Sequence, residues 1–224
     1  MIKRIIAGAT AAGLLSLAPV AISAPANAAT EVLSTAVTVE VSTTSVTYGK
    51  TISVYTKVPA SDGYNSYDGT TTLYAMPAGA STWTPVATVN ASYSFYDVKP
   101  TMNTTYKVVY SGYTAATQYE DTYLPSESAP FTVSVQRYVT ISKAKKRLTI
   151  KGKVKPDYKR KKVTIHRKKG KRWIKVKTVK TNKKSVFQVT LPPAPRGKKL
   201  YFRITVPGNS QYVQYSEVWY TYSY

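Results

Sequence analysis

The run Lys146-Arg147-Leu148-Thr149-Ile150-Lys151-Gly152-Lys153-Val154-Lys155-Pro156 decides the class of fold. Apolar and cationic residues alternate along it. That places Leu148, Ile150 and Val154 on one face of a strand and Arg147, Thr149, Lys151 and Lys153 on the other. Pro156 marks its end, because proline has no N–H to give to a sheet ladder. Outward from this run, short stretches rich in Val, Ile, Thr, Tyr and Phe recur between turn residues, and helical periodicity is nearly absent after residue 28. Seven fall in the first half, near 36–42, 50–58, 69–76, 82–89, 91–97, 104–111 and 129–135. Seven more fall in the second, near 137–142, 146–154, 161–168, 172–179, 185–191, 198–206 and 214–222. The pattern predicts an all-β chain of two tandem antiparallel β-sandwiches, 29–135 and 136–224, with little room for a flexible linker. Expected core residues are Leu73, Val86, Phe95, Val108, Phe131, Leu148, Ile150, Val163, Ile165, Ile174, Val176, Phe187, Leu191, Phe202 and Ile204.

The two halves align with each other in order, as an internal repeat does. Gly49-Lys50-Thr51-Ile52-Ser53-Val54 through Val58-Pro59 parallels Lys146 through Pro156, and Gly69 through Tyr74 parallels Lys161 through His166. Trp83-Thr84-Pro85-Val86-Ala87-Thr88-Val89 then matches Trp173-Ile174-Lys175-Val176-Lys177-Thr178-Val179. These features, with the Asp68-Gly69 turn and a tyrosine opening a late strand, resemble the bacterial immunoglobulin-like repeat domains of exported actinobacterial and other Gram-positive proteins. The resemblance spans the chain after residue 28. It implies immunoglobulin-like sandwiches used as spacer, adhesive or carbohydrate-proximal modules, and it implies no chemistry. The cysteine pair of antibody domains is missing, since the chain has no cysteine. Tyr106 and Tyr201 stand where a tyrosine corner would, but the alternation there conflicts. Tyr106, Val108 and Tyr110 form the apolar face in the first half, whereas Leu200, Phe202, Ile204 and Val206 form it in the second.

Residues 1–28 read as a cleaved signal peptide. Lys3 and Arg4 precede an apolar run from Ile5 to Ala18, and Ala26-Asn27-Ala28 matches the small-x-small cleavage pattern. No later stretch reaches the roughly 20 apolar residues of a membrane-spanning helix. The expected location is extracellular, released or associated with the cell wall. Without cysteine, stability there comes from packing alone.

Charge divides the chain more sharply than any motif. From Ala29 to Val135 there are four Lys against eight acids, whereas from Gln136 to Tyr224 there are 26 Lys and Arg against only Asp157 and Glu217. So lopsided a balance carries self-repulsion that a polyanion would relieve. The strands and turns of the second half put Lys151, Lys153, Lys159, Arg160, Lys162, Arg167, Lys168, Lys169, Lys171, Arg172, Lys175 and Lys177 forward as the polyanion-binding residues. Lysine predominates, which suits diffuse phosphate contact more than bidentate recognition. The anionic partners in view are wall glycopolymers, anionic surfaces and extracellular DNA. Trp173 and Tyr201 offer stacking surfaces to bases or sugars if they are not taken up in packing. Competing readings are a solvated face on an inert spacer, head-to-tail self-association of acidic and basic halves, and an adhesion or assembly subunit. In the last, the Tyr- and Ser-rich loops of the first half would hold protein or carbohydrate.

Catalytic chemistry finds no support. His166, the single histidine, lies among Lys162, Arg167 and Lys168 with no carboxylate nearby in sequence to orient it. One His and no Cys cannot furnish a zinc site. Asp62, Asp68, Glu120 and Asp121 sit in loops without the spacing of a calcium loop. The sequence therefore implies no enzyme and no cofactor.

Overall fold

The computed structural model describes residues 30–193 and 197–222; the expected export segment, 1–28, lies outside the described residues. In chain order the strands are β1 (Val32–Leu33), β2 (Thr38–Val41), β3 (Ser45–Thr47), β4 (Ile52–Lys57), β5 (Thr70–Pro77), β6 (Thr84–Asn90), β7 (Phe95–Val98), β8 (Thr104–Tyr110), β9 (Thr122–Tyr123), β10 (Ser126–Glu127) and β11 (Phe131–Gln136). They continue as β12 (Tyr138–Lys143), β13 (Thr149–Lys155), β14 (Lys162–Lys169), β15 (Arg172–Lys180), β16 (Val186–Thr190), β17 (Lys199–Val206) and β18 (Tyr215–Tyr222).

Two sandwiches result. In the first, the sheet β2-β4-β7 lies over β3-β11-β8-β5-β6, with β10 added to β8. The apolar faces of Ile52, Val54 and Phe95 on one sheet meet Leu73, Val108, Tyr110 and Val133 on the other. In the second, β12-β13-β16 lies over β15-β14-β17-β18. There Ile150, Val154 and Phe187 meet Val163, Ile165, Phe202 and Ile204. Gly152 sits mid-strand because Phe187 lies on top of it: a Cβ at that position would be 2.2 Å from the ring. The first sandwich is not wholly antiparallel. β3 pairs in parallel with β11, and β1 with β9.

Both sandwiches carry the same irregularity. The β5–β6 register shifts between Leu73 and Tyr74, and the β14–β15 register shifts between Ile165 and His166. Leu73 pairs with Val108, and Ile165 pairs with Ile204. Val108 is therefore the counterpart of Ile204, and Tyr106 of Phe202. This resolves the conflict over the late strand, because Tyr201 is one residue out of step and 39% exposed. The tyrosine that ties strand to loop is Tyr110, whose hydroxyl donates to the Asp68 carbonyl at 2.8 Å.

Ten of the fifteen expected core residues are buried, Phe131 and Val176 are half buried against the cores, and Val86, Ile174 and Leu148 differ. Val86 and Ile174 are 49% and 41% exposed. Both lie on edge strands beside the bulge, where alternation loses its phase. Leu148 precedes β13 at φ 52° and is only half buried, while Thr149, expected outside, is buried against Thr190 through a 2.9 Å hydroxyl contact.

The sandwiches meet without a spacer. Between β11 and β12, Arg137 is 3% exposed, its guanidinium 4.1 Å from the Tyr212 ring centroid and 4.8 Å from that of Tyr158. The β17–β18 loop then docks on the first sandwich. Asn103 N–H donates to Gln211 O at 2.8 Å, Val213 N–H to Val135 O at 2.9 Å, and the Tyr212 hydroxyl to Thr101 O at 3.1 Å. Tyr212 thereby packs into the core of the first sandwich.

Candidate functional site

The twelve basic residues expected to form one site do not share one surface. Lys151 and Lys153 project from β13, on the outside of the sheet β12-β13-β16. Lys159 and Arg160 occupy the turn before β14, with Lys159 Nζ 2.5 Å from Asp157 Oδ2. Lys162, Arg167, Lys168 and Lys169 lie on β14, Lys171 in the hairpin, and Arg172, Lys175 and Lys177 on β15. Eleven of the twelve are exposed and Arg167 is half buried. The register pairs Arg167 with Phe202, on the core side of the sheet. Alternation along each strand tells inside from outside but not which sheet a strand joins, so the two outer faces merged in the sequence.

The outer face of β15-β14-β17-β18 is the more organised of the two. Across it the register aligns Lys175 with His166, His166 with Arg203, and Arg203 with Val218. Next to that row the Arg203 guanidinium stands 4.8 Å over the Trp173 ring, and Lys168 Nζ lies 5.9 Å from the Tyr201 centroid. Lys199 Nζ is 4.9 Å from the Tyr220 centroid. Tyr201 and Tyr220 have centroids 6.0 Å apart, as do Tyr220 and Tyr222. Tyr220 is 56% exposed and Val218 54%, so a line of rings and cations faces outward. No carboxylate joins it among the described residues. Glu217 alternates with Val218 onto the opposite side, and Asp157 sits in the turn before β14. Arg203, Lys199, Val218, Tyr220 and Tyr222 were not singled out from the sequence. The period-two run Val218, Tyr220, Tyr222 was the signal that could have found them.

Two polar atoms on this face are buried without a hydrogen-bond partner, His166 Nδ1 and Arg203 Nε. Burial, followed by the charges of Arg203 and Lys175, holds the His166 imidazole below its ordinary pKa. The groups acting on it are cations, opposite in sign to the carboxylate that orients a general base.

A separate cleft of about 630 Å³ lies where the sandwiches meet, bordered by Tyr48, Lys50, Tyr138, Lys155, Glu217 and Trp219. At its wall the Tyr215 hydroxyl donates to Glu217 Oε2 at 2.9 Å and accepts from Trp219 Nε1 at 3.3 Å. Burial, reinforced by Glu217, pushes the Tyr215 hydroxyl well above the usual tyrosine range, which keeps it a donor.

Three of the acidic loop residues of the first sandwich tie down local or distant backbone. Asp62 accepts from Tyr64 N–H at 3.0 Å, and Asp121 accepts from Glu31 N–H at 3.0 Å. Glu120 accepts from the Tyr113 hydroxyl at 2.6 Å and from Ala116 N–H at 2.9 Å, and these bonds hold its carboxyl below the usual range. Among the described residues no three His, Cys, Asp or Glu side chains cluster as metal ligands. No helix of the described residues is long and apolar enough to cross a membrane.

The architecture is all-β, two tandem immunoglobulin-like sandwiches. No family model matches the sequence, and no curated protein matches it. Among solved structures, a two-domain fibronectin type-III segment of chicken tenascin is 13% identical, with a TM-score of 0.42 over 82% of this chain and 98% of that one. The chicken interferon gamma receptor alpha chain is 10% identical, with a TM-score of 0.45 over 83% and 96%. A tetra-tandem repeat from the extending region of a large adhesion protein is 10% identical, with a TM-score of 0.31 over 85% and 49%. At these identities and scores the likenesses carry no argument about function, and the fold rests on the strand pairing above.

Proposed function

We propose that this chain is an exported, non-catalytic binding protein of two modules, 29–135 and 136–224, following an export segment at 1–28. Its second module holds an anionic polymer outside the cell, or at the cell wall, through non-specific cation contacts. The observation that carries this reading is the charge of the second half, 26 Lys and Arg against two acids. The two acids offset little of it, Asp157 being bound to Lys159 and Glu217 accepting from Tyr215 in the cleft. Holding so many like charges on one small sandwich costs self-repulsion, and a polyanion offsets it while releasing its own counterions.

Heparin chromatography and fluorescence titration at several salt concentrations test the idea. Log affinity should fall linearly with log salt, losing about 10³-fold or more between about 50 and 200 mM if six or more phosphates or sulfates are engaged. Binding that is flat across that range removes the proposal. Comparing Lys151→Gln/Lys153→Gln with Lys168→Gln/Lys175→Gln tells which outer face is used.

A second reading rests on the first module. Tyr67 is 62% exposed beside a groove of about 400 Å³ bordered by Glu40, Tyr55 and Asn65, and Tyr96 packs edge-on to Tyr55 at 6.4 Å. Exposed Tyr with Ser and Asn neighbours suits protein or carbohydrate contact. Salt-insensitive binding that Tyr67→Ala abolishes would favour it.

A further inference from the structure

We infer that the outer face of β15-β14-β17-β18 is a platform for single-stranded nucleic acid, its bases stacking on Tyr201, Tyr220 and Tyr222 and its phosphates meeting Lys168, Lys175, Lys199 and Arg203. This deepens the polyanion reading and rests on it. Three observations single out this face and this occupant.

The first is that the face is cationic and unneutralised, with no carboxylate on it among the described residues. Arg203 Nε is buried there and has no hydrogen-bond partner, although an arginine presents five N–H donors. The first sandwich uses the equivalent device in a closed form. There Lys107 lies 5.3 Å from the Trp83 centroid and is bound to Glu127 Oε2 at 2.6 Å. On the second sandwich the residue facing Arg203 from the neighbouring strand is Val218, so a position that could hold a neutralising carboxylate is apolar and open.

The second is the rings. A phosphorylated polymer without rings gains nothing from Tyr201, Tyr220 and Tyr222, which remain 39%, 56% and 40% exposed. Successive ring centroids lie 6.0 Å apart, with Lys168 beside Tyr201 and Lys199 shared by Tyr220 and Tyr222, so rings and cations are interleaved as bases and phosphates are along an unstacked strand. A duplex keeps its bases stacked inside and cannot use them.

The third is the missing set of acceptors. A sugar polymer presents hydroxyl donors, which carbohydrate sites meet with carboxylates and carboxamides. β14, β15, β17 and β18 contain no Asp, Asn or Gln, and their one Glu, Glu217, points to the other side. Besides the tyrosine hydroxyls and His166, the neutral polar groups on the face are Thr164, Thr178, Thr205 and Ser216. Bases need no such acceptors, because stacking is tolerant of sequence.

The test uses the full chain at low salt with four probes: labelled oligothymidine of about 20 nucleotides, its abasic deoxyribose-phosphate analogue of equal length, a duplex, and heparin. Oligothymidine should bind roughly tenfold or more tighter than the abasic strand and quench tryptophan emission, with the quenching lost in Trp173→Phe. Tyr220→Ala should weaken oligothymidine roughly five- to tenfold and leave the abasic strand unchanged. Val218→Glu, a change at an exposed edge-strand position whose folding circular dichroism verifies, should weaken both strands by closing Arg203 as Glu127 closes Lys107. Equal affinity for oligothymidine and abasic strand, or a duplex bound as tightly as the single strand, overturns the inference while salt-sensitive heparin binding keeps the polyanion reading. If none of the four probes binds, both fall.

Discussion

The two sandwiches share a device and use it to opposite ends. In each, a tryptophan opens the edge strand next to the bulge, Trp83 before β6 and Trp173 on β15, and a cation from the late central strand covers its ring, Lys107 at 5.3 Å and Arg203 at 4.8 Å. Covering the ring protects the open edge of the sheet, because a charged, capped surface resists pairing with another chain. The first sandwich then neutralises its cation with Glu127, and the second faces its cation with Val218. Backbone register, bulge and core alternation are therefore kept while exterior charge is varied independently. The scaffold sets where side chains stand, and a few outward positions decide whether a face is finished or awaits a partner.

The comparison breaks first at the core, where the expected effects are largest. Phe95 and Phe187, both 2% exposed, occupy matching strands. Truncating either to Ala should cost about 3–5 kcal/mol in urea unfolding. A loss below about 1 kcal/mol for Phe187→Ala would show that its ring, packed over Gly152, is not the centrepiece that the equivalence requires.

The joint comes next. Burial pulls the Arg137 guanidinium below its ordinary pKa, and the faces of Tyr158 and Tyr212 are what compensate it. Arg137→Ala should cost about 2 kcal/mol, the scale of a desolvated cation–π contact, and should uncouple the sandwiches. The tryptophans report this directly, with Trp83 in the first sandwich and Trp173 and Trp219 in the second. One shared unfolding transition should separate into two, and transitions that stay merged would mean that the Asn103 and Tyr212 contacts suffice.

A smaller exchange tests the charge difference itself. Glu127→Gln should cost about 0.2–1 kcal/mol, as exposed pairs do. Val218→Glu should stabilise by a similar amount, measured by urea unfolding at low salt, and both effects should shrink as salt is added. Val218→Glu that destabilises would mean Arg203 is satisfied in a way Lys107 is not.

Much of the fold was legible because strand alternation is a local property. Each of the fourteen apolar runs overlaps an observed strand, and the inward faces of β8 and β17 follow the alternation of Tyr106, Val108, Tyr110 and of Leu200, Phe202, Ile204, Val206. β1, β3, β9 and β10 were not legible. Two or three residues carry no period, and each of these strands is defined by a partner more than about ten residues away. Leu148 was misplaced because a residue at φ 52° reverses the chain locally, an event no hydrophobicity pattern records. The site was half legible for a related reason. Sequence distinguishes outward from inward, so eleven of the twelve expected cations stand exposed, Arg167 excepted. Which outward residues become neighbours depends on pairing across β15, β14, β17 and β18, so the rings beside them were not.

The gentlest probe of the contrast is His166, whose counterpart across the bulge in the first sandwich is Tyr74. Burial comes first, then Arg203 from β17 and Lys175 from β15, and together they lower its pKa below the ordinary value of 6.5. The folded state thus takes up a proton less readily than the unfolded chain. As pH falls below about 6.5 the unfolded chain protonates first, so stability declines from there until the pH passes the lower folded value, after which this residue adds no further slope. Above about 6.5 it contributes none. Urea midpoints measured at about pH 7.5 and 5.5 should therefore differ by an amount that His166→Gln removes. An anion laid across the face offsets Arg203 and Lys175, raises the imidazole pKa and makes binding take up a proton, so affinity should strengthen as the pH falls through the same window. A wild-type affinity with the same pH dependence as His166→Gln would place the bound polymer away from Arg203, on the Lys151 and Lys153 side of the sandwich.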